Sequence, residues 1–155
     1  MRTKIFRLYN AIALAGLTCL VSAVSFAHVT IWPRESTAGA TEKYTLRVPT
    51  EGKVTTKSVE LEVPEGVTVE SMAVPAGWKH ELKREGDRIT AITWQMDVKP
   101  GEFVEFSFVA RNSRDKTQIV WTLRKKFADG TVSDWTKGPN GTRPTAVTTL
   151  VPRKQ

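Results

Sequence analysis

The sequence predicts an all-β domain, an antiparallel β-sandwich of the immunoglobulin-like or cupredoxin-like kind. Three observations indicate this fold class. Short runs rich in Val, Ile, Thr and aromatic residues alternate apolar with polar side chains, and Pro, Gly and Asp separate the runs at strand-like intervals. No segment of useful length has helical periodicity, and no internal repeat is present.

The alternation is clearest in the first predicted strand, residues 42–49, where Tyr44, Leu46 and Val48 share one side. The next, residues 58–64, repeats the pattern, and prolines close both runs because proline cannot donate to a continuing ladder. The other predicted strands are residues 67–74, 78–83, 89–96, 103–110, 118–127, 131–135 and 146–151. Glu85-Gly86-Asp87 and Asp129-Gly130 are typical of hairpin turns.

The first 27 residues predict a secretory signal peptide. Three basic residues precede an apolar stretch over 11–24, and Ala27 ends a small-residue cleavage site. We therefore expect a mature domain of residues 28–155 that begins with His28 and is periplasmic or secreted. No later stretch approaches the roughly 20 apolar residues of a transmembrane helix, so no membrane anchor is expected in the mature chain.

Composition excludes several classes of protein. Removing the three basic residues of the leader lowers the net charge from +7 to +4, too little to indicate a nucleic-acid binder. The one cysteine, Cys19, lies in the leader. The mature domain therefore has no disulfide, thiolate metal site or cysteine nucleophile. The basic run Arg124-Lys125-Lys126 is interpreted as a solvated strand face.

His28 is the candidate metal ligand, because cleavage after Ala27 would free its α-amine. The amine and the imidazole Nδ1 would then chelate one ion, and nitrogen and oxygen ligands in a tetragonal array suit Cu(II). A peptide α-amine has a pKa of about 7.7–8.0, so losing its proton to a metal near neutral pH costs little. Glu35 is the nearest carboxylate, just past the Trp32-Pro33 turn.

The segment 28–40, HVTIWPRESTAGA, resembles the opening of the YcnI-like copper-binding domain family of secreted bacterial proteins. Further similar motifs, in the same order, are YTLRVP, PAGW, ITW, FSFVARN and DGTVSDWT. The resemblance implies a β-sandwich that holds one Cu(II) per chain in a single-histidine brace on His28, with Glu35 as carboxylate ligand. It places Trp135 beside the site as an aromatic wall, since an indole nitrogen is donor-only.

The favoured function is therefore copper trafficking or buffering as a metallochaperone, with a membrane copper transporter or another trafficking protein as partner. Two alternatives stay open: a copper-dependent oxidative enzyme, and a metal-free immunoglobulin-like adhesion or assembly module. A two-histidine brace would need His80, whose strand context instead predicts an exposed residue. Trp78, Trp94 and Trp121 are expected in the core, and Trp32 beside the site. Catalysis is not expected, and the oligomeric state is not predicted.

Overall fold

The computed structural model describes residues 28–50, 52–136 and 146–153, so the predicted leader lies outside the described residues. The described residues form eleven strands, and among them no helix could span a membrane. The strands are β1 Thr30–Trp32, β2 Glu35–Thr37, β3 Thr41–Pro49, β4 Thr56–Glu62, β5 Thr68–Met72, β6 Lys79–Glu85, β7 Arg88–Val98, β8 Phe103–Arg111, β9 Gln118–Phe127, β10 Val132–Trp135 and β11 Ala146–Val151.

The strands form two sheets, which confirms the predicted all-β sandwich. One sheet has the order β1-β3-β8-β5, and the other has the order β2-β11-β9-β4-β7-β6, with β10 also paired to β9. One edge of β9 carries two strands end to end: β11 pairs with residues 118–121 of β9 and β10 with residues 123–126. The chain ends of β10 and β11 therefore meet beside the middle of β9.

All nine predicted strands are present, with ends shifted by a few residues, and two short strands are added. β1 and β2 have three residues each, too few to show an alternating pattern. β2 runs parallel to β11, which departs from the wholly antiparallel arrangement expected. The two predicted hairpin turns are confirmed: they join β6 to β7 and β9 to β10, with positive φ at Gly86 and Gly130.

The core is apolar and rich in aromatic side chains. Tyr44 and the inward residues of β3 and β4 are fully buried, as the alternation predicted. Trp94 stacks on Phe106 with ring centroids 4.3 Å apart, and Trp121 packs against Tyr44 at 4.9 Å. Such aromatic pairs add to the stability that area burial provides. Trp78 is only half-buried, just before β6, but it packs against Phe106 as a core-edge residue.

The interpretation of the basic run as a solvated face is wrong for Lys125. Its side chain is 0 % exposed, whereas Arg124 and Lys126 on either side are exposed. The alternation of β9 gives Lys125 the same face as Leu123, which is the core face. Lys125 Nζ donates a hydrogen bond to the Pro49 carbonyl at 3.0 Å, as a buried ammonium requires acceptors.

The segment between β1 and β2 carries the chain from one sheet to the other. The Trp32–Pro33 peptide bond is cis. Two hydrogen bonds from β11 fix the segment: the Thr148 hydroxyl donates to the Pro33 carbonyl at 3.0 Å, and the Thr149 N–H donates to the Arg34 carbonyl at 2.8 Å. Residues 33 and 34 are thus held to the second sheet by the last strand.

A buried polar network connects β2 to the other sheet. Tyr44 Oη donates to Asn112 Oδ1 at 2.6 Å, and Asn112 Nδ2 donates to Ser36 Oγ at 3.0 Å and to the Thr37 carbonyl at 2.9 Å. Ser36 Oγ in turn donates to Glu42 Oε2 at 2.8 Å. Asn112 is 2 % exposed, so its amide joins the two sheets where water cannot replace it.

We expect Asn112→Ala to lower the free energy of unfolding by about 1–3 kcal/mol, because it leaves buried hydrogen-bonding groups of Tyr44 and β2 unsatisfied. Urea denaturation measures the change. Gln95→Ala is the matched control: it removes an exposed amide that donates to Glu81 at 2.7 Å, and such surface changes usually stay within about 0.5 kcal/mol. Equal losses in the two variants would contradict the role given to Asn112.

Burial, and next the negative charge of Glu42, raise the pKa of Tyr44 to about 12. A raised pKa in the folded state means that Tyr44 contributes stability fully below its unfolded pKa of about 10, and this contribution is lost as the pH rises towards 12. Tyr44 is the only tyrosine in a chain that begins at His28. Tyrosinate absorbance should therefore titrate near 12 in the folded protein and near 10 in urea; coincident midpoints would refute the assignment.

Candidate metal centre

His28 lines a small cavity beside the first residues of β11. It lies two residues before β1, and its side chain is exposed. The cavity has a volume of about 230 Å³ and is lined by residues 28–31, by Arg34 and by Ala146 and Val147 of β11. Both ends of the described domain therefore form its walls.

Trp135 forms the aromatic contact of His28. The imidazole and indole rings meet edge to face, with centroids 6.2 Å apart and an interplanar angle of 79°. Trp135 is the last residue of β10, lies opposite Leu123 of β9 and is 1 % exposed. The structure thus brings together two of the three predicted site residues, although most of the domain separates them in the sequence.

Lys125 lies against the same indole. Its Nζ is 5.5 Å from the centroid of the Trp135 ring and 5.6 Å from that of Phe127. Contacts of an ammonium with aromatic faces are attractive at such distances. Trp135 therefore contacts the imidazole of His28 and the ammonium of Lys125, and both contacts restrict the orientation of its ring.

Next to Trp135, Asp134 fixes β10 to its neighbour. Arg124 Nε lies 2.6 Å from Asp134 Oδ1, and its Nη1 lies 3.6 Å from Glu60 Oε1. The hydrogen bond and charge of Asp134 raise the pKa of the Arg124 guanidinium. Exposed ion pairs contribute little stability individually, so their consequence here is the alignment of β10.

Glu35 begins β2, where it pairs with Thr149 of the parallel strand β11. Its side chain is exposed, and its carboxylate makes no hydrogen bond or ion pair with another residue of the described ranges. Glu35 is not among the residues that line the cavity. The structure therefore fixes the backbone of Glu35 through β11 and leaves its carboxylate available, without bringing it against His28.

Two further sequence predictions concern residues near or outside the centre. His80 is exposed on β6, the edge strand at the far side of the second sheet from β2, as expected. Trp32 is 50 % exposed, and the Arg34 guanidinium lies 4.7 Å above its ring. The sequence did not predict that Arg34 and the two residues of β11 line the cavity, because their place there depends on the pairing of β2 with β11.

The donor atoms at the cavity restrict which metal site is feasible. Within residues 28–50, 52–136 and 146–153, no three His, Cys, Asp or Glu side chains are grouped so that they could hold a metal. A larger cavity of about 420 Å³ lies beside Glu65, Asp115 and Lys116 and has no histidine in its wall. A site at His28 fits a metal only if a further donor, such as a terminal amine, joins its imidazole.

Residues 28–149 match a family model described as a domain of unknown function, DUF1775. The chain belongs to this family. The sequence motifs predicted a YcnI-like copper-binding family. The family model and one curated relative together confirm that prediction. That relative is the copper-binding protein CutI of Bacillus subtilis (strain 168), which is 30 % identical over 146 residues covering 92 % of this chain and 72 % of CutI.

A solved structure supports the fold of this DUF1775 domain. It is an uncharacterized protein from Nocardia farcinica, described as having an immunoglobulin-like fold. The match has a TM-score of 0.68 and 24 % identity, and it covers 79 % of this chain and 97 % of that protein. Of the two sandwich types considered from the sequence, the immunoglobulin-like one is therefore the one supported.

The burial of Lys125 against Trp135 predicts a large difference in the reactivity of two adjacent lysines. An amine-reactive acetylating reagent should modify the exposed Lys126 of the DUF1775 domain readily and Lys125 only after unfolding, because Lys125 is inaccessible to the reagent. Tandem mass spectrometry of the peptide containing both residues measures the two rates. Urea-unfolded protein is the control, in which the rates should converge; similar rates in folded protein would contradict the buried placement.

Proposed function

We propose that this protein is an exported copper-binding protein that chelates one Cu(II) through the amine and imidazole of His28, with Glu35 as carboxylate ligand. The proposal includes removal of residues 1–27, which turns the peptide nitrogen of His28 into a free amine. The protein then acts in the periplasm or outside the cell, in copper buffering or trafficking. Its role is to hold and exchange the ion, not to catalyse a reaction.

One observation carries the proposal: His28 lines a cavity, and its imidazole lies against the edge of Trp135. No conventional group of three metal-binding side chains is present among the described residues. A terminal amine is the donor that would complete a chelate there without another histidine. The name of the Bacillus subtilis relative, a copper-binding protein, supports copper as the metal.

The surrounding residues suit reversible binding. The exposed carboxylate of Glu35 has no competing ion pair within the described residues, so binding a metal would break no ion pair there. The buried indole of Trp135 lies in T-shaped contact with the imidazole, which would limit the rotation of that ring. Ligand orientation by neighbouring groups of this kind tunes a metal site.

An exposed site at the chain terminus allows exchange with a partner. Ligands of a receiving protein could approach His28 from solvent and displace Glu35 first, because a single carboxylate is the more weakly held ligand. A membrane copper transporter, or another copper-trafficking protein, is the partner we propose. The absence of cysteine from residues 28–155 favours Cu(II) over Cu(I), which prefers sulfur ligands.

An N-terminal extension tests the amine directly. Intact mass first establishes whether the exported protein begins at His28. We expect that protein to bind one Cu(II) with an EPR spectrum of nitrogen and oxygen coordination, whereas a form with one alanine before His28 should lose this spectrum and bind at least about tenfold more weakly, because the chelate is opened.

Two glutamine variants test the carboxylate in the same titration. Glu35→Gln should weaken Cu(II) binding and alter the EPR parameters, while Glu81→Gln, on the distant edge strand β6, should do neither. If the extended form keeps the stoichiometry, affinity and spectrum of the exported one, the amine is not a ligand and the proposal is refuted.

A further inference from the structure

Arg34 shares the cavity with His28, and no described residue forms an ion pair with it. It lines the cavity, and its guanidinium is stacked 4.7 Å above the ring of Trp32. Within the described residues Arg34 has no ion-pair partner.

We propose that this cavity is a binding site for a small carboxylate anion, held by Arg34 next to the copper ligand His28. A carboxylate matches the planar, bidentate donor geometry of a guanidinium, and it is smaller than a phosphate monoester. The inference rests on the proposed function, since the second oxygen would occupy an open position of the copper ion. It goes beyond the proposed function because the protein would bind a small carboxylate anion in addition to copper.

The size of the cavity restricts the ligand. Sites for drug-sized molecules have volumes of about 300–1,000 Å³, and this one has about 230 Å³. Acetate, or the end of one acidic side chain, would fit there with water. Stacking on Trp32 restricts the guanidinium before binding, which lowers the conformational entropy lost when the anion binds.

The two oxygens of a bound carboxylate have different tasks. Cu(II) accepts oxygen ligands beside nitrogen, and the proposed ligands, the amine and imidazole of His28 with the carboxylate of Glu35, would leave room for one further oxygen ligand. One oxygen would fill that position with one of its lone pairs, while Arg34 donates a hydrogen bond to each of the two oxygens. Arg34 thereby becomes a specificity-determining residue that favours carboxylate over water as the exchangeable ligand.

Acetate titration of the exported, Cu(II)-loaded protein tests the site. Copper EPR measures acetate affinity at equal copper loading in wild type, Arg34→Gln and Arg34→Lys. We expect Arg34→Gln to bind acetate at least about tenfold more weakly, the usual effect of losing a charge-assisted hydrogen bond. Arg34→Lys should be intermediate, because it keeps the charge and loses the bidentate geometry.

Arg84→Gln is the matched control. It removes the same charge from β6, at the far edge of the second sheet from β2, and should leave acetate affinity unchanged. Equal affinity in wild type and Arg34→Gln would overturn the inference, as would an equal loss in Arg84→Gln, which would indicate a general charge effect.

An experiment on metal-free protein separates this inference from the proposed function. If wild type binds no Cu(II), the proposed function fails, and the anion site is then judged by NMR of the metal-free protein. Acetate should shift the Arg34 side-chain resonance and not that of Arg84; no selective shift refutes the site.

A tri-glutamate peptide that binds more tightly than acetate identifies a partner side chain as the source of the carboxylate, and weaker binding identifies a free anion.

Discussion

The rest of the site depends on where the chain crosses from one sheet to the other, which it does at Pro33 and Arg34. His28 lies two residues before β1 of one sheet, and Glu35 begins β2 of the other. The distance between their backbones is therefore set by how the two sheets are joined. The hydrogen bonds of Asn112 across the sheets, and those of β11 to the crossing segment, make this join rigid. Asn112 is buried, so water cannot readily replace the hydrogen bonds of its amide.

The sequence was sufficient for most of the fold and insufficient for its ends. Long strands such as β3 show a period of two, which a buried face imposes on any half-buried strand. β1 and β2 have too few residues for a period, and proline lies between them. Their positions are decided by partners distant in sequence, Arg47 for Thr30 and Thr149 for Glu35. No local pattern encodes such pairing.

The site shows the same division between local and long-range information. The family resemblance predicted that Trp135 lies beside His28, which no rule of residue spacing could have done. The structure places the two rings in contact. The charge of Lys125 suggests an exposed side chain, whereas its alternation with Leu123 along β9 indicates an inward one, and the structure follows the alternation. A charged residue at an inward position of a regular strand is therefore expected to be buried and to have hydrogen-bond partners.

The parallel pairing of β2 with β11 has a consequence for folding. β2 lies near the start of the described residues, and β11 is the last of their strands in the sequence. Pairing between strands so far apart cannot form until both have been synthesised, and closing such a long loop costs conformational entropy. Ala146 and Val147, which complete the cavity wall, therefore take their places only after the rest of the described strands exist. A chain shortened before β11 would have His28 without that wall.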